Sequence, residues 1–147
     1  MLENWILPVL YASIGSVGFG LIFGMRSKKL IYTALGGALT WLIYLVCVKL
    51  KQPEPLAYAI AAGIGTLFSE VMARLIKIPA TALVIPVNIP LVPGGAMYYA
   101  FVGLLGGDTS RFLERGGYAL STACAMALGI FTATMLSKLI FKRIKRK

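Results

Sequence analysis

Four prolines in one apolar run decide most of what this chain can fold into. The stretch Ile78–Gly95, IPATALVIPVNIPLVPGG, is greasy enough for a membrane, yet it holds Pro79, Pro86, Pro90 and Pro93 and closes on Gly94–Gly95. Each proline removes a backbone donor and clashes with the preceding turn, so no continuous helix runs through all four. Broken backbone at membrane depth is tolerated only against protein or a water-filled cavity. Transporters place such breaks where half-helix ends meet the solute. A proline-kinked helix or re-entrant elbow that serves packing alone is the competing expectation.

The membrane assignment comes from composition. Of 147 residues, 59% are hydrophobic, and the mean hydropathy is +0.82. Several apolar runs reach about twenty residues, the length that spans a bilayer core. The expected fold is all-α: a single polytopic domain over residues 1–147 with about five transmembrane helices, the fourth crossing broken by proline. Met1–Asn4 lacks a basic region and no small-residue cleavage site follows, so the first run is expected to be a retained span rather than a signal peptide.

A net charge of +10 in a soluble protein would point to nucleic acid. Here the basic residues flank apolar runs or fill the C-terminal tail, so membrane orientation and anionic headgroups explain them and no nucleic acid is expected. Cys47 and Cys124 lie in different runs without metal-ligand spacing. There is no histidine, hence neither the commonest metal ligand nor the commonest general base. No nucleophile triad, phosphate loop or zinc motif is present. No enzyme, metal site or cofactor is expected.

The spans fall near residues 4–24, 30–48, 56–76, 80–107 and 118–137. In the first, Ala12, Ser16, Gly20 and Gly24 recur every four residues, a small-residue stripe that lets helix backbones approach closely. Ala57, Ala61, Gly65, Ser69 and Ala73 repeat the pattern in the third. Gly117, Ser121, Ala125, Gly129, Ala133 and Ser137 repeat it in the last. Glu70 is the only acid well inside an apolar run, and Arg74 follows at the spacing of a helical ion pair. It is either an ion-coupling group or a structural pair whose cation snorkels to the surface.

From Ala80 to Gly107 about 28 residues would make roughly 42 Å of straight helix, too long for one untilted crossing and too short for two. One crossing in two pieces, broken around Asn88–Gly95, is the economical solution. Asn88 carries the only side-chain amide there. Pro90 and Pro93 strip donors, while Gly94 and Gly95 open the second piece with free N–H groups suited to an anion. Tyr98 and Tyr99 are then placed to line a cavity wall. Asp108–Gly117 (DTSRFLERGG) is expected to be a polar loop with at most a short capped helix.

Charge orients the bundle. With five spans and the basic tail inside, Arg26, Lys28, Lys29, Arg74 and Lys77 are inside too, and only Lys49, Lys51, Arg111 and Arg115 are outside. The N-terminus is then outside and Lys147 cytoplasmic. Four spans with a re-entrant proline loop is the alternative topology.

The chain resembles the small-subunit half of the threonine/serine exporter family, whose relatives include dicarboxylate exporters. The likeness rests on SVGFGLIFG (Ser16–Gly24), YTALGGALTW (Tyr32–Trp41), AAGIGTLFSEVMARLIKIP (Ala61–Pro79) and above all IPLVPGGAMY (Ile89–Tyr98). It implies a cell-membrane, two-component exporter of threonine, serine or related small carboxylates, with a larger membrane subunit of the same family as partner. A homo-oligomeric holin-like pore and a non-transporting membrane scaffold are the rival functions.

Overall fold

The structure, a computed structural model, describes residues 3–144. The last three residues of the basic tail, Lys147 among them, lie outside the described residues. Six α-helices are present among the described residues: α1 Glu3–Ile22, α2 Lys28–Lys49, α3 Glu54–Leu75, α4 Ala80–Asn88, α5 Gly94–Leu105 and α6 Thr109–Ile144, with a 3₁₀ turn Ile89–Leu91 after α4. Four of them, α1, α2, α3 and α6, are long and apolar enough to cross a membrane, and α4 with α5 forms a pair bent by 60°. Large apolar side chains such as Ile14, Ile31, Leu120 and Leu128 stand exposed along these helices. Water would not tolerate so much bare hydrocarbon. The fold is that of a polytopic helical membrane protein.

Four of the connections share one device. After α1, α2, α3 and α5 a residue at positive φ (Gly24, Lys51, Lys77 and Gly107) reverses the chain. The next N–H then bonds back five residues, Met25 to Gly20, Gln52 to Cys47, Ile78 to Ala73 and Asp108 to Gly103, at 2.8–3.1 Å. This Schellman closure satisfies carbonyls that a helix end leaves bare.

The hub is α3. Half of its spanning window is buried, against 17% in α1 and 28% in α2 and α6. It packs on α6, α2 and α4, while α1 packs on α2 and α5 on α6. Its neighbour α6 runs parallel to it: Ala59 meets Gly129, Glu70 meets Ser137, and Arg74 meets Phe141. The bent pair runs the other way, since Leu83 clusters with Ala73, Asn88 reaches Thr66, and Leu91 packs with Tyr58 and Ala62. A re-entrant elbow would return the chain to the end where α3 stops and make α6 antiparallel to α3. The parallel arrangement requires the segment between α3 and α6 to carry the chain back to the end where α3 starts, which makes the bent pair the fifth candidate span.

Small residues sit where helices touch. A Cβ on Gly20 would lie 3.2 Å from Leu30 and Thr33 of α2, one on Gly65 would overlap Thr40, and one on Gly129 would overlap the Ala59 carbonyl. Ala61 and Ser69 are fully buried, and the Ser69 hydroxyl donates back to the Gly65 carbonyl at 2.8 Å. Three members of the expected stripes fall elsewhere, Gly117 among them, since it is exposed and a Cβ there would meet nothing within 4 Å. Gly24 lies past the end of α1 in the turn, at φ +74°. Ser121 is exposed and bonds only the Tyr118 carbonyl of its own helix, at 2.9 Å.

The largest departure from the sequence expectation is at Asp108–Gly117. The expected loop is the start of a 36-residue α6. Asp108 Oδ1 accepts the Arg111 N–H at 3.0 Å and caps the first turn. Gly116 does not end the helix because it packs on Ala100 of α5, where a Cβ would lie 3.9 Å from that methyl.

Candidate functional site

The bend between α4 and α5 is built by the prolines. Pro86 lies inside α4, Pro90 opens the 3₁₀ turn and Pro93 precedes α5. Val92 is extended (φ −60°, ψ 126°), which breaks the helical path. The remaining donors find short-range acceptors: Val92 N–H bonds the Ile89 carbonyl at 3.0 Å, Gly94 N–H the Val92 carbonyl at 2.7 Å, and Met97 N–H the Pro93 carbonyl at 3.1 Å. Gly95 and Ala96, in the first turn of α5, have no intrahelical acceptor for their N–H groups.

Both residues line a cavity of ≈ 480 Å³, within the size range of small-molecule sites. Pro90 and Pro93 to Ala96 form one wall. Opposite stand Trp41 of α2, Glu54 and Tyr58 of α3, Tyr99 of α5, and Arg115 and Tyr118 of α6. A Cβ on Gly94 or Gly95 would meet nothing within 4 Å, so the backbone there is open to an occupant. The aromatic side is ordered by ring contacts, Trp41 to Tyr44 at 5.3 Å and Tyr44 to Tyr58 at 4.8 Å. Trp41 Nε1 is buried without a hydrogen-bond partner. The cavity lies within about 6 Å of the start of α3, because Tyr58 is one turn from Glu54. It is therefore near the end of the bundle where α3 starts. A second, apolar cavity of ≈ 350 Å³ between α1 and the 3₁₀ turn shares Trp41 and Pro90 with the first.

Of the residues singled out in the sequence, Pro90, Pro93, Gly94 and Gly95 line the cavity. Tyr98 does not: it is 64% exposed, edge-on to Tyr99 at 5.3 Å, and Tyr99 takes the wall position. Asn88 lies one turn before the bend, 4% exposed. Its Nδ2 donates to the Val84 carbonyl at 2.9 Å and to Thr66 Oγ1 at 3.3 Å, while Oδ1 has no partner. Asn88 thus ties α4 to α3 beneath the cavity. The residues that sequence reasoning missed are Trp41, Glu54, Tyr58, Arg115 and Tyr118. One signal was available, since Glu54 and Arg115 fall in segments that the five-span count assigns to the same side.

Glu70 and Arg74 form a separate centre. Arg74 donates to Glu70 Oε2 at 3.0 Å, the one ion pair among the described residues. The Ser137 hydroxyl of α6 donates to the same oxygen at 3.2 Å and accepts from Arg74 at 3.2 Å. The guanidinium lies 4.0 Å over the Phe141 ring. The carboxylate is buried at the α3–α6 seam, far along α3 from the cavity.

A family model described as threonine/serine exporter, ThrE, matches residues 8–136. The chain belongs to the threonine/serine exporter family. Neither a curated protein nor a solved structure gave a significant match. Membership makes this a multi-pass transport protein and not a member of an enzyme family. The exporter's matched region contains both halves of the broken crossing and every residue of the cavity.

Proposed function

We propose that the chain is the membrane subunit of a two-component exporter of small amino acids, threonine or serine, or of related small carboxylates. The observation that carries this is the cavity at the proline bend, in a chain of an exporter family. Among the described residues, one copy supplies a polar cleft at the bend and few other polar groups within the bundle. A larger membrane subunit of the same family completes the path. An odd number of crossings gives a second half of the same plan the opposite orientation, as inverted-repeat transporters require. In the cell membrane the N-terminus faces outward and the C-terminus the cytoplasm, as the basic residues favour. The cavity then opens outward, as an exit site. Reagent access to the bend from one side only tests that orientation.

The export test uses Gly94→Val and Asn88→Leu in cells that also make the larger subunit. Valine at 94 has room to fold and fills the cavity edge, so efflux of threonine or serine should fall about tenfold with membrane insertion intact. Leucine at 88 removes the amide link between α4 and α3 and should lower efflux less, with partner association retained. Full efflux in both variants would remove the bend from the path. Leakage of unrelated solutes through the chain alone would favour a homo-oligomeric pore.

A further inference from the structure

We propose that Glu54 and Arg115 grip the two charged ends of a zwitterionic solute across the cavity, and that Glu54 sets the preference for amino acids over plain carboxylates. The proposal rests on the export reading for the cavity's role, and adds which groups read the solute. Both side chains line the same ≈ 480 Å³ space, yet the one ion pair among the described residues is Arg74 with Glu70. Glu54 and Arg115 are therefore beyond ion-pair distance of each other, on the separate helices α3 and α6. Opposite charges that share a cavity without meeting leave a gap for a molecule with both signs.

The geometry assigns the ends. Arg115 offers a planar fork of donors that suits a carboxylate. It shares the cavity with the backbone of Gly95 and Ala96, whose N–H groups open α5 and carry its partial positive charge. Glu54 opens α3, and an ionised carboxylate accepts an ammonium. Tyr58 and Tyr118 lie along the same wall and offer hydroxyls for a third contact. A dicarboxylate would place one of its charges against Glu54. A hydroxy acid would leave Glu54 without its cation.

Trp41 lines the cavity, and Trp5 is the only other tryptophan, so a Trp5→Phe background makes emission report on this site. The full chain in lipid nanodiscs is titrated with L-serine, with glycerate, which replaces the amine by hydroxyl, and with succinate. Serine should bind about tenfold more tightly than glycerate or succinate, the scale of a charge-assisted hydrogen bond. Glu54→Gln should erase that ratio while leaving glycerate affinity unchanged, and Arg115→Gln should weaken serine and glycerate alike by about tenfold. If Arg115→Gln does not insert, the Glu54→Gln ratio decides alone. An unchanged ratio in Glu54→Gln overturns the grip, as does a Trp41 signal that answers to none of the three probes. Efflux by the unsubstituted chain with its larger subunit is measured in parallel. Efflux with an unchanged ratio removes only the grip, whereas no efflux of any of the three solutes removes the export reading itself.

Discussion

Gly129→Leu is expected to drive α6 off α3 and cost the protein its stable fold. A Cβ at this position would overlap the Ala59 carbonyl, which is backbone and cannot rotate aside. Gly63 approaches the same spot, its added Cβ 3.3 Å from the Gly129 carbonyl, so the two helices are at backbone contact here. Overfilling a packed core costs about 1–3 kcal/mol even where side chains can yield. Forcing two backbones apart exceeds that, against a total stability of about 5–15 kcal/mol. Gly15→Leu and Gly18→Leu are the controls, because a Cβ on either meets nothing within 4 Å. Unfolding in mild detergent, followed by circular dichroism, should show a large loss for Gly129→Leu and little change for the controls. A wild-type midpoint for Gly129→Leu would mean that this seam is not a close contact.

The second large effect is at the other end of the same seam. Arg74→Leu strips the cation from Glu70, a carboxylate only 7% exposed, and leaves it with the Ser137 hydroxyl alone. Removing one partner of a buried pair costs about 3–5 kcal/mol, chiefly the desolvation of the charge left behind. The lower end applies, because the Arg74 side chain is 40% exposed. Glu70→Gln should be milder, since the orphaned guanidinium can turn to water over Phe141. Adding Glu70→Gln to Arg74→Leu should recover most of the stability. That rescue identifies a structural clasp between α3 and α6. If Glu70→Gln leaves stability unchanged and abolishes coupled export, Glu70 handles an ion instead.

Much of this architecture is legible in the chain. Proline chemistry is local, so the bend at Asn88–Gly95 follows from Pro86, Pro90 and Pro93 without any knowledge of neighbours. The small-residue stripes are legible only in part, and the reason is rotation. Four residues turn a helix by about 40° beyond a full circle. A strict four-residue repeat therefore winds around the helix, and over Gly117–Ser137 it covers more than half a circumference. The buried positions of α6, Ala119, Thr122, Met126, Gly129, Ala133 and Ser137, mix steps of three and four and stay on one face. That is why Gly129 meets α3 while Ser121 does not. In α3 the drift is harmless, because α2, α4 and α6 pack on the helix over a wide arc and leave a stripe with Leu56, Ile60 and Val71 exposed.

The cavity's charged residues were not legible for a different reason. Glu54 and Arg115 lie some sixty positions apart in segments that look like ordinary polar connections, and only the parallel pairing of α3 with α6 brings them to one space. The helix that carries Arg115 was itself concealed. Gly116 and Gly117 resemble a stop, and the Asp108 cap and the packing of Gly116 on Ala100 override them. Tyr98 and Tyr99 differ by the 100° between successive helix positions. Apolarity alone does not choose which of the two faces the cavity.

The most direct measurement asks whether the bend lines a water-filled, solute-occupied space open to one side of the membrane. Cys47 and Cys124 are free thiols and are first replaced by alanine. A single cysteine is then placed at Gly94, where an added side chain meets open space. A membrane-impermeant maleimide added to intact cells should modify Gly94→Cys, and millimolar serine should slow the reaction. A cysteine that no aqueous reagent reaches from either side, or one whose labelling ignores serine, would contradict the cavity at the bend as the exporter's solute site.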